Sequence, residues 1–211
     1  MRQGDLFEPG AGAAGPPPPE LALERHQLLA WQERLAAHQG PLFTAGAAAP
    51  AAEQGLLLPA PDPGPRGAGS SEVGSLDPAA RARALDPLSL QPQSLSFWRW
   101  PEAPQRGAAV YLVLDRPPHL PLPLLLYVGE TGRADRRWKG DHDCKAYLAA
   151  YGEALSRADL DARPSIRFWC DVPEAVKARR ALEQALIRRW LPPFNKETAA
   201  RWSTPFTADT D

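Results

Sequence analysis

The chain has 211 residues, with 24 Lys+Arg against 25 Asp+Glu and a formal net charge of −1. That balance excludes binding to nucleic acid through bulk positive charge, so any such contact must come from a local patch. Two cysteines without metal-ligand spacing exclude a disulfide framework and point to a reduced, cytoplasmic setting.

Of the 25 prolines, 16 precede Gly107, together with most of the Ala-, Gly- and Ser-rich stretches. Such segments bury too little apolar surface to offset their ordering entropy, so residues 1–95 are expected as a long disordered tail. The first residues lack a charged region followed by an apolar run, and a secretory signal is not expected. One stretch in the tail is helical in pattern. Residues 20–39 follow four prolines and stop at Gly40-Pro41, with Leu21, Leu28, Trp31 and Leu35 near helical spacing. This helix is expected to pack on the domain or to bind a partner.

Gln3-Gly4-Asp5-Leu6-Phe7 is echoed by Gln39-Gly40-Pro41-Leu42-Phe43 and more weakly by Gln54-Gly55-Leu56-Leu57-Leu58. The first copy is similar to the short peptide by which bacterial replication and repair proteins dock on the sliding clamp. In such a peptide the Leu-Phe pair fills an apolar pocket and the Gln bonds at its rim. The resemblance implies a sliding clamp as partner, held by Gln3, Leu6 and Phe7. Chance in a Gly-, Leu- and Gln-containing tail is the competing explanation.

An aromatic block, Ser94 to Trp100, opens a linker over residues 96–106 and is expected to clasp a sheet, with base stacking the alternative. Residues 107–196 then form the domain, and residues 197–211 a C-terminal tail. The domain is expected to be α/β: a small β-β-α-β-α unit with a three-stranded sheet flanked by helices. Residues 108–115 and 124–130 are apolar strands joined by a proline-bounded loop, which predicts an antiparallel hairpin. Residues 135–151 are helix-like and residues 165–172 form a third strand. Pro173 supplies a first turn for a helix over 174–190, with Val176, Leu182, Leu186 and Trp190 on its buried stripe. Pro192-Pro193 ends it. The most apolar window, Leu120 to Val128, is too short to span a bilayer and contains two prolines, so no membrane partner is expected.

One set of residues across this domain is specific. Val110-Tyr111 lies on one strand and Tyr127-Val128-Gly129 on the next. Arg137 follows ten residues after Tyr127, and Glu183 precedes Asn195 by twelve. Together with Pro192-Pro193-Phe194 these motifs resemble the GIY-YIG nuclease superfamily, which includes homing endonucleases and the excinuclease C repair subunit. The resemblance covers residues 107–196. It implies a metal-dependent DNA endonuclease, structure-selective in repair or recombination because no separate DNA-reading module is visible. The alternative is a degenerate member that binds DNA or protein without cutting.

Phosphodiester hydrolysis needs an activated water, neutralised phosphoryl oxygens and help for the departing oxygen. By resemblance, Glu183 holds Mg²⁺ or Mn²⁺, ions that often take only one or two protein ligands. Arg137, with Lys139 nearby, faces the substrate phosphate; a guanidinium fork suits its oxygens. Tyr111 positions or deprotonates the attacking water, Tyr127 hydrogen-bonds in the same site, and Gly129 keeps the strand end open to substrate. Asn195 fixes the loop beside Glu183 or touches the water shell of the ion. Two positions depart from the common pattern. Glu130 puts a negative charge after the motif glycine, and Asp141 stands where many members have His or Tyr. His142 next door is either a proton-transfer residue or a plain helix histidine.

Overall fold

The central strand, β1 (Ala109–Asp115), has apolar side chains on both faces, and every one of its residues is buried. In the computed structural model, which describes residues 23–47, 77–96, 105–136 and 143–203, β1 is flanked by β2 (Leu124–Thr131) and β3 (Ser165–Trp169). The sheet has the order β2-β1-β3, and both pairings are antiparallel. Helices cover both faces. Val110, Leu112 and Leu114 pack with Leu182, Leu186 and Trp190 of a long helix, Val176–Trp190. Tyr111 and Val113 pack with Ile166, Phe168 and Cys144, the last from the helix Asp143–Arg157. The expected α/β arrangement, a three-stranded sheet between helices, is the one observed.

Two helices before the sheet extend this plan, giving α1 (Arg25–Ala47), α2 (Pro78–Ala84), α3 (Asp143–Arg157) and α4 (Val176–Trp190) in chain order. Leu28, Trp31, Gln32, Leu35, Gln39 and Phe43 form one buried face of α1. The sequence predicted an end at Gly40-Pro41, yet the helix runs through Pro41 to Ala47. A proline inside a helix removes one backbone bond, at a cost of about 3 kcal/mol. Tertiary contacts offset that cost. The Gln39 amide donates to the carbonyls of Leu125 (2.9 Å) and Trp190 (3.1 Å) and accepts from the Leu125 N–H (2.8 Å). Phe43 sits 4.5 Å from Trp190, ring centre to ring centre. The Gln39–Phe43 copy of the terminal peptide pattern is therefore core, not a docking segment. The Gln3–Phe7 and Gln54–Leu58 copies lie outside the described residues.

Residues 77–93 also belong to the fold, contrary to the expectation of a continuous tail to residue 95. Asp77 caps α2 by accepting from the Ala79 N–H (3.2 Å), and Asp86 caps a short 3-10 turn through the Leu88 N–H (2.8 Å). Gln93 then exchanges backbone hydrogen bonds with Ile166 (2.8 and 2.9 Å), which covers the outer edge of β3. An open strand edge leaves N–H and C=O groups in need of partners, and this is the physical reason both segments dock. At the other end, Trp202 is buried and its Nε1 donates to the Leu191 carbonyl (2.6 Å), so residues 197–203 are part of the domain as well.

Local boundaries shift in three places. Residues 134–136 form a turn, and among the described residues α3 spans Asp143–Arg157, beyond the expected end at residue 151. β3 stops at Trp169 and α4 starts at Val176, not Glu174. Val176 is 50% exposed because it occupies the first turn of α4 and not its buried stripe. Among the described residues no helix is long and apolar enough to cross a membrane.

The Gln39 contact carries a prediction. Gln39→Ala strands a buried N–H and C=O of Leu125, at about 1–3 kcal/mol for each group. A thermal melt of the variant should show a clear fall in Tm; an unchanged midpoint would mean that α1 is not seated on β2.

Candidate active site

β2 is an edge strand, and the segment that follows α4 closes its open side. Leu191 adopts a left-handed conformation (φ 47°), and Pro192-Pro193 prevents the helix from continuing. The chain then turns back, so that the Phe194 N–H donates to the Leu126 carbonyl (3.0 Å). The Asn195 amide accepts from the Val128 N–H (3.0 Å) and donates to the Val128 carbonyl (2.8 Å). Asn195 thus takes the place of a neighbouring strand residue. These two bonds fix the loop to β2.

The same edge holds Glu183. Its Oε1 accepts from the Glu130 N–H (3.0 Å), which brings the carboxylate of α4 onto the end of β2. Glu183 is half-buried and, with Tyr127, Tyr147, Lys196 and Glu197, lines a cavity of about 190 Å³. Burial pushes its carboxyl up to about 7; the nearby Glu130 charge adds to this, the Glu130 N–H opposes it, and Glu197 raises it further. The Glu130 side chain turns away to Arg179 (2.8 Å) and Arg180 (3.4 Å). Arg179 is itself nearly inaccessible and also bonds the carbonyls of Pro173 (3.1 Å) and Glu174 (2.8 Å). The unusual acid after the motif glycine is therefore an ion-pair partner that anchors the start of α4 to β2.

Tyr111 on β1 stands opposite Gly129 on β2, and Tyr127 stands opposite Val113. Both rings lie on one face as diagonal neighbours, 5.9 Å between centres and 28° between planes. Gly129 makes this possible. A Cβ there would fall 2.4 Å from Cζ and Oη of Tyr111 and 2.8 Å from the Tyr127 ring. The space that the glycine leaves, expected for substrate, is filled by the protein's own phenol. Tyr111 is fully buried, whereas Tyr127 is half-buried and reaches the cavity. Burial raises the Tyr127 hydroxyl well above the ordinary phenol range, helped by the proximity of Tyr111 and Cys144 and by its hydrogen bond with Tyr111. Its hydroxyl therefore remains protonated.

Four of the predicted side chains, Tyr111, Tyr127, Glu183 and Asn195, thus meet around Gly129 and the end of β2. Arg137, Lys139, Asp141 and His142 lie outside the described residues. The ends that bracket them are placed: Ala134 and Cys144 are both buried in the cluster that contains Tyr111. Sequence reasoning missed Tyr147, Lys196 and Glu197. The last two follow Asn195 directly, so their adjacency to the motif was the available signal. Comparison with known proteins finds no matching family model, no matching curated protein and no matching solved structure.

The Glu183 carboxyl sets a pH dependence of stability. Its ordinary value is 4.5 and its folded value about 7, so between them the folded state binds more protons than the unfolded one. Its contribution is present below the lower value and is lost as pH rises through the upper. Glu183→Gln should flatten that decline, as read by denaturant melts at pH 5 and pH 8. Equal slopes for the variant and the parent would refute the assignment.

Proposed function

We propose that this constellation is the site of a GIY-YIG-type, metal-dependent DNA endonuclease that acts on branched or damaged duplexes in repair or recombination. The observation that carries the proposal is the contact of Glu183 with the Glu130 N–H. It joins a carboxylate, distant in sequence, to the strand end that bears Tyr127 and Gly129.

The residues present suit a hard divalent cation. Glu183 has one oxygen engaged by a backbone N–H, and its burial, with the nearby Glu130 and Glu197, makes it costly to ionise, a cost that a bound cation relieves. Among the described residues no group of three or more His, Cys, Asp or Glu side chains converges; Mg²⁺, which keeps several of its waters, needs no such cage. Glu183 would hold the ion, Mg²⁺ or Mn²⁺, with Glu197 on the same cavity wall. When bound, the ion supplies positive charge for the phosphoryl oxygens and acidifies water.

The remaining chemistry falls to the chain itself. Tyr127, kept protonated by burial and by its hydrogen bond to Tyr111, offers its hydroxyl oxygen to the cavity as an acceptor, and the buried Tyr111 holds its ring in place. Tyr127, and not Tyr111, is then the phenol that orients the attacking water. Lys196 adds a cation to the cavity wall, and Asn195 holds the backbone beneath Glu183. Arg137 and Lys139 are the proposed contacts to the scissile phosphate, and His142 a proposed proton carrier.

The test is a cleavage assay with the full chain and Mg²⁺ or Mn²⁺ on nicked, flapped, branched and plain duplexes. The full chain is required because α1 and residues 77–93 are part of the fold. Cleavage of one or more structures is the expected result. The burial of Tyr111 favours a second reading, a DNA-binding adaptor that has lost catalysis; saturable binding without cleavage would select it.

A further inference from the structure

A second cavity, of about 340 Å³, opens at the far end of β1 and is lined by Asp115, Arg116, Arg163, Ser165, Arg167 and Pro92, among others. Asp115 lies four residues along the strand from Tyr111, roughly 13 Å at 3.4 Å per residue. The cavity therefore stands apart from the Glu183 site. Its size is at the lower end of the range for ligand pockets, about 300–1,000 Å³.

Its lining includes three arginines, whose guanidinium groups come from two segments: Arg116 just after β1, and Arg163 and Arg167, four residues apart, before and on β3. Among the described residues, no carboxylate oxygen lies within 4.0 Å of any of them. The one acid in the wall, Asp115, is fully buried and already saturated. It accepts from the Tyr151 hydroxyl (2.7 Å), from the Arg163 backbone N–H (2.6 Å) and from the Arg116 backbone N–H. Asp115 thus ties together the two backbone segments that carry Arg116 and Arg163 without neutralising either side chain. Arg167, on β3, is held by carbonyls: its Nη1 donates to Pro87 (3.3 Å), Leu88 (3.0 Å) and Leu90, while its buried Nε has no partner. Burial and the charge of Arg116 both press its guanidinium toward the neutral form, with Asp86 opposing them. Arg116 and Arg167 are thus close enough for their charges to oppose each other, in a wall whose backbone Asp115 ties together.

We propose that this cavity is an anion site that takes a phosphate group on Arg116, Arg163 and Arg167. Guanidinium forks match phosphate oxygens in both charge and geometry, and an anion relieves the repulsion that Arg116 exerts on Arg167. Asp115 fixes the backbone from which Arg116 and Arg163 extend, which reduces the ordering left for the ligand to induce. The phosphate comes either from a nucleic-acid backbone or from a free phosphate. In neither case does the site depend on cleavage at Glu183.

The experiment uses the full chain and a double variant, Arg116→Gln/Arg163→Gln, which replaces two exposed side chains and spares Arg167, whose carbonyl contacts support the fold. Inorganic phosphate is titrated calorimetrically at constant ionic strength, with chloride as the control. The parent should bind saturably with Kd of about 1 mM or tighter, and the double variant should bind at least about tenfold more weakly. No saturable phosphate binding by the parent, or equal binding by the variant, overturns the proposal. A second arm identifies the source. If the site takes backbone phosphate, the variant's affinity for a short duplex should fall and its salt dependence should flatten by about one contact per arginine. Unchanged duplex binding with lost phosphate binding supports a free phosphate as the ligand.

Discussion

Glu183→Gln is expected to reduce metal-dependent cleavage by about three orders of magnitude or more, the scale seen when a principal charge-stabilising group is lost. The fold should survive. Glutamine keeps an oxygen that can accept from the Glu130 N–H, now seen at 3.0 Å. It also removes the charge whose burial, with added repulsion from Glu130 and Glu197, holds the carboxyl near 7. The variant should therefore melt no lower than the parent at pH 8, and above it if that repulsion is felt. Opposite movements of activity and stability mark a residue kept for chemistry at the expense of the fold. Cleavage at the parental rate by pure, folded Glu183→Gln would end the assignment of this carboxylate to the ion.

Gly129→Ala should be the most disruptive of the small substitutions. The added methyl would lie 2.4 Å from Tyr111, a ring with no exposed surface and no room to retreat. Overpacking of this kind costs about 1–3 kcal/mol, which for a domain of this size lowers Tm by roughly 3–10 °C. It also moves Tyr127, so cleavage should fall with stability. Gly152→Ala provides the control. Gly152 is in α3, and a Cβ there meets nothing within 4 Å. The same chemical change should be neutral there or stabilise by about 0.5–1 kcal/mol. Equal melting temperatures for the two variants would show that Tyr111 does not occupy the space above Gly129.

What the sequence by itself determined is the set of elements whose signals are local. The apolar runs around Tyr111 and Tyr127 specified the hairpin, the stripe of Leu182, Leu186 and Trp190 specified α4, and the diproline specified its end. The residues Tyr111, Tyr127, Gly129, Glu183 and Asn195 were legible because their order and spacing form a pattern.

What only the tertiary structure decided concerns partners far apart in the chain. Gly40-Pro41 reads as a helix stop because the cost of proline is local, whereas the contacts of Gln39 and Phe43 that offset it lie near residues 125 and 190. Residues 77–93 read as tail because their few apolar side chains have no periodicity; they dock because β3 has an open edge. That Tyr127 and not Tyr111 reaches the cavity, and that Glu130 faces Arg179, depends on which side of β2 each helix covers. The meeting of Asp115 and Arg116 with Arg163 and Arg167 likewise has no trace in any local window. A strand edge demands hydrogen-bond partners but does not say which residues will supply them, and only the folded chain brings those residues there.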